Sequence, residues 1–106
     1  MDLAELKSKI VILRQLLKNE GVHLDGALLF GSRAKNTHHP ESDIDLAIVS
    51  RDFGIDRFTE SVLLNRLVYR CLKNCEAVPI GLKDYLNPQQ ISPLLYEIKS
   101  TGTPLL

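Results

Sequence analysis

The chain has 106 residues, 44% of them apolar, and its 13 basic and 13 acidic side chains cancel to a formal net charge of zero. That is material for one domain with a single core, and the balanced charge excludes the general attraction to nucleic acid that a strongly basic domain has. No apolar run reaches membrane-span length, and Asp2, Glu5 and Lys7 interrupt the N-terminus too early for a signal peptide, so the expected compartment is the cytoplasm.

Leu3, Leu6, Ile10, Leu13 and Leu17 recur at intervals of three and four, which predicts an amphipathic helix over about 3–19, ended by Gly21. A strand is expected over about 26–30, where Leu28, Leu29 and Phe30 lead into Gly31-Ser32. Gly31 lets the backbone turn sharply and approach a ligand closely. Ser32 is a good N-cap for a short helix over 32–35, whose first N–H groups favour an anion. Arg33 and Lys35 add positive charge there. A polar loop with His38-His39-Pro40 follows; two readings stand for these histidines, contact with phosphate or substrate and solvated loop residues, and His23 reads as structural or exposed.

The next strand, 43–50, carries Asp43 and Asp45. Residues two apart on a strand point to one side, so these carboxylates project together, roughly 6.5–7 Å apart, while Ile44, Leu46 and Ile48 face a core. Like charges at that spacing repel. A cation between them relieves the cost, and carboxylate, water and phosphate oxygen are the usual ligands of Mg2+. The combined pattern is G-S-x10-D-x-D, an anion-holding turn beside a pair of metal-binding acids.

Asp56 caps a long helix expected over 57–73. Its apolar residues Phe58, Val62, Leu63, Leu64, Leu67, Val68, Cys71 and Leu72 spread beyond the stripe of a one-sided surface helix. Two explanations stand: contact with another chain, or deep burial in the helix's own core. A third strand is expected over 75–81, with Glu76 its one acid; Pro79 lacks an N–H and confines that strand to an edge or to an early end. A loop through Tyr85-Leu86-Asn87 follows, with Asp84 in it as an alternative acid. Ser92 at N-cap and Pro93 at N1 open a last helix to about Ser100, closed by Gly102. Cys71 and Cys75 have no His or Cys set to complete a zinc site and read as buried, reduced thiols. The order is α-β-α-β-α-β-α, an α/β (α+β) class with a small mixed sheet flanked by helices.

At Gly31, Ser32, Asp43 and Asp45, with Arg33-Ala34 behind the turn, the sequence resembles the nucleotidyltransferase superfamily of DNA polymerase beta and kanamycin nucleotidyltransferase. It is most similar to the minimal nucleotidyltransferases (MNT), which are about this long. The resemblance implies one nucleotidyltransferase domain over 1–106. Gly31, Ser32 and Arg33 would bind the phosphates of ATP or another NTP, and Asp43, Asp45 and Glu76 would act as catalytic metal ligands, Glu76 standing where the family has Asp. It implies Mg2+ as cofactor, transfer of AMP to an acceptor hydroxyl, and a helical HEPN-type partner whose tyrosine is modified by an antitoxin. The other readings are a nucleotide-binding regulatory subunit without catalysis and an antitoxin that acts by physical masking.

Overall fold

The computed structural model describes residues 2–31, 44–89 and 92–106. Helix α1 spans Leu3–Asn19. The Asp2 carboxylate caps it by accepting from the Glu5 amide at 2.8 Å. Leu6, Ile10, Leu13 and Leu17 form its buried face. Gly21 has φ +77°. That left-handed residue lets the Val22 amide reach the Leu17 carbonyl at 2.9 Å and the Gly21 amide reach Lys18 at 3.0 Å, which satisfies the last carbonyls of the helix.

Strands β1 (Gly26–Phe30) and β2 (Ile44–Ser50) pair antiparallel, and helix α2 (Arg57–Cys71) then carries the chain over to β3 (Cys75–Gly81), parallel to β2. Helices α3 (Leu82–Leu86) and α4 (Pro93–Thr101) follow. A two-residue strand β4 (Thr103–Pro104) pairs antiparallel with β1, so the sheet order is β3-β2-β1-β4. The expected loop through Tyr85 is thus partly α3, and β4 was not anticipated. Helix α2 stops at Cys71 instead of 73 because Leu72 turns to an extended conformation. Gly102 does cap α4, but with φ −71°. Its need for glycine is one of space, since a Cβ there would meet the Ile98 carbonyl. The short helix expected over 32–35 lies outside the described residues.

Alternation along the strands divides the interior. Ala27, Leu29, Ile44, Leu46, Ile48 and Ala77 pack with the buried faces of α1 and α2. Leu28, Phe30, Ala47, Val49 and Ile80 face the other way and meet Leu95 and Ile98 of α4. Lys99 of α4 sits over the Tyr85 ring of α3, 5.3 Å from its centroid. Leu64, Leu67 and Val68 of α2 are buried, but Phe58 and Val62 are 79% and 55% exposed, which rules out deep burial of the whole helix.

The edge strand is protected by chemistry. The Asn65 side chain accepts from the Ala77 amide at 2.8 Å and donates to the Ala77 carbonyl at 2.9 Å. Ala77 therefore turns both backbone groups outward, and Pro79, two residues on, falls on the same outward parity, where its missing N–H costs no ladder bond. The expectation that Pro79 requires an edge strand holds. Among the described residues no helix is long and apolar enough to cross a membrane.

Candidate active site

Gly31 follows β1 in a turn, is buried, and has φ +77°. A Cβ on it would run into the Asp45 carboxylate, so the absence of a side chain is what lets the acid lie against the turn. Asp45 is half-buried near the start of β2. It stands opposite Phe30 on one side and Glu76 on the other. Because β2 and β3 are in register and parallel, the Asp45 and Glu76 side chains leave the sheet on the same face, with their strands about 4.8 Å apart. That face also carries Ala47, Val49 and Ile80, opposite α1 and α2. The parity expected for Asp45, away from Ile44, Leu46 and Ile48, is the parity found.

Of the expected site residues, the structure brings together Gly31, Asp45 and Glu76. Ser32, Arg33 and Asp43 lie outside the described residues, as do His38 and His39. The alternative acid Asp84 lies in α3, not in a loop. It is beside Gly54 and Gly81, at the other end of β3 from Glu76, roughly 16 Å along the strand at about 3.3 Å per residue, and it takes no part here. Cys71 and Cys75 are half-buried and, among the described residues, in no disulfide; partial burial pushes the Cys71 thiol above its ordinary pKa.

One positioning residue escaped the sequence reading. Asn65 clamps Ala77, the immediate neighbour of Glu76, and so fixes the strand that delivers this carboxylate. The available signal was an amide directly after Leu64 and two before Leu67, on the apolar side of the α2 pattern.

Asp45 and Glu76 are hard oxygen donors on adjacent strands, the donor type that Mg2+ takes. Among the described residues no three acids, histidines or cysteines gather into a complete metal-binding set. Two carboxylates fit a share of such a site, and a third ligand would have to come from the segment before Ile44 or from a substrate phosphate.

Comparison with known proteins gives one family match and several structural ones. The model of the family described as polymerase beta, nucleotidyltransferase, matches residues 5–106. Among curated proteins no relative matches. A toxin-antitoxin crystallised with AMP-PNP superposes with a TM-score of 0.61 at 24% identity, covering 94% of this chain and 72% of that one. A putative nucleotidyltransferase from Sulfolobus solfataricus gives 0.63 at 15% identity, covering 96% and 77%. A mutant of the toxin-antitoxin MntA-HpeT gives 0.59 at 22% identity, covering 94% and 72%. At these identities the structural likenesses establish the fold.

Proposed function

The chain belongs to the polymerase beta nucleotidyltransferase family, and on that premise we propose that it moves AMP from ATP to an acceptor hydroxyl as the antitoxin of a toxin-antitoxin pair. What supports this most directly is the register of Asp45 with Glu76 beside a left-handed Gly31 turn, against which a side chain would displace the Asp45 carboxylate. Two toxin-antitoxin structures among the neighbours, one with AMP-PNP, support the setting.

In this reading Gly31 and Ser32 present backbone N–H groups to the triphosphate and Arg33 adds charge. Asp43, Asp45 and Glu76 would hold Mg2+, whose chemistry is to offset negative charge on the phosphate oxygens. Glu76, which is exposed, orients the acceptor hydroxyl or takes its proton. The acceptor oxygen bonds to the α-phosphorus, the bond from that phosphorus to the bridging oxygen breaks, and pyrophosphate leaves with the electron pair. Positioning and charge neutralisation carry most of the acceleration. The acceptor in this reading is a tyrosine of a helical HEPN-type toxin, the partner that the family resemblance implies, and the two toxin-antitoxin neighbours support a toxin as the partner.

The test is transfer of label from α-labelled ATP to the co-purified toxin in the presence of magnesium. Asp43→Asn and Asp45→Asn should each abolish it with the fold intact. Full activity in either variant refutes the assignment. A second reading, inhibition by masking, is favoured by the exposed Phe58, Val62 and Tyr69 on one side of α2; unchanged toxin neutralisation by Asp45→Asn would select it.

A further inference from the structure

One bowl in the described surface is remote from these acids. It has a volume of about 510 Å³ and is lined by Arg14, Lys18, Val22, His23, Asp25 and Arg51, among others. It opens at the start of β1, six residues and roughly 20 Å along the strand from Gly31 at about 3.3 Å per residue. Arg14 and Lys18 are one turn apart on α1, so both side chains leave the same helix face.

The rim is held on both sides. Arg51 grips Asp25 with two guanidinium nitrogens, at 2.7 and 3.2 Å, and its own amide donates to the same carboxylate at 2.8 Å. The Asp52 carboxylate accepts from the His23 amide and from His23 Nδ1, both at 2.8 Å. The Asp52 amide in turn donates to Ser50, which is fully buried. These bonds staple the segment before β1 to the segment after β2. They also consume the acids: Asp25 is spent on Arg51, and Asp52 on His23. Among the described residues Arg14 gives one bond, to the Leu24 carbonyl at 3.3 Å, and neither Arg14 nor Lys18 pairs with an acid, which leaves two cations over an apolar lining of Val22 and Leu24.

We propose that this bowl is a second, non-catalytic binding site, for a small molecule with a phosphate group and an apolar body. Two exposed cations fit a phosphate dianion, and the volume is that of a small-molecule pocket. The site stands independently of the catalytic reading, since no residue is shared.

The test uses the full isotope-labelled chain and three probes: phenyl phosphate, inorganic phosphate and benzyl alcohol. Phenyl phosphate should shift the amides of residues 18–25 and 51, and should bind more tightly than either the bare anion or the neutral ring. Double substitution Arg14→Gln with Lys18→Gln, at exposed positions on α1, should weaken it by about tenfold or more, while Asp45→Asn should leave it unchanged. Three results would overturn the proposal: no shift up to about 20 mM, which means a free energy weaker than roughly −2.3 kcal/mol; shifts confined to 26–31, 44–46 and 75–77; or equal binding by the double variant. Tighter binding of a short oligonucleotide through the same residues would also overturn it, by assigning the surface to nucleic acid.

Discussion

The two ends of the sheet treat their acids in opposite ways. At the end where β1 begins, Asp25 is bonded to Arg51 and Asp52 to His23, and each carboxyl is held below its ordinary pKa by the hydrogen bonds of that partner. At the end where β1 stops, Asp45 and Glu76 are placed side by side on neighbouring strands. Acids paired with cations tie chain segments together. Acids set beside acids oppose folding, by roughly 0.2–1 kcal/mol for like charges directly opposite on a sheet. A protein that keeps such a pair holds it with other contacts, here the Leu46 and Ile48 core on one face and the Asn65 clamp at the edge. In the proposed function the second end is the one that acts on the nucleotide.

The comparison breaks most sharply at Asp45. Asp45→Asn should lower nucleotide transfer on the order of a thousandfold, as expected when a group that neutralises transition-state charge is removed, while thermal unfolding stays cooperative. Single-turnover transfer and a calorimetric scan of the same sample check both halves. Gly31→Ala comes next. The left-handed φ alone costs about 1–2 kcal/mol, and the new methyl displaces the Asp45 carboxylate. Transfer should fall well beyond what that loss of stability explains. A variant that melts lower but keeps full turnover at low temperature would show that the contact of turn and acid is merely packing.

Much of this arrangement could be read in advance, and the reasons differ by element. The spacing of Leu6, Ile10, Leu13 and Leu17 is long and regular, so α1 was legible to its end. Strands β1 and β3 were legible because Gly, Pro and apolar runs bound them. The side to which Asp45 points follows from strand parity alone. Its alignment with Glu76 does not, since thirty-one positions separate them in the chain and register is decided by packing of α2 between the strands. Helix α3 was missed because five residues are too few to show a period, and β4 because Thr103-Pro104 has no strand pattern of its own and pairs only where α4 delivers it to β1. Asn65 was hidden by its type, a polar residue inside an apolar helix face. Asn65→Ala leaves the Ala77 amide and carbonyl without their partner and should cost about 1–3 kcal/mol. Its Tm should fall, and transfer should fall with it if Glu76 depends on that strand position; Asn65→Asp, which keeps the acceptor for the Ala77 amide, should recover part of both.

The smallest effect sharpens the comparison from the other end. Asp25, Asp52 and Asp56 all have folded pKa values below the ordinary carboxylate value, because Arg51, His23 and Thr59 respectively bond their charged forms. A lowered folded value means that the stabilising contribution is fully present above the unfolded pKa, about 3.9, and disappears as pH falls from there through the folded values. Tm should therefore be flat from neutral pH to about pH 5 and drop below pH 4. Asp25→Asn should lower the neutral plateau slightly and flatten the acid limb, because the group that binds the extra proton on unfolding has been removed. Since the Arg51 and His23 sides of these pairs are exposed to solvent, salt should shrink both changes. Glu76→Gln should do the reverse of Asp25→Asn on the plateau, leaving Tm equal or higher, because it removes a charge from the end of the sheet where charges are crowded.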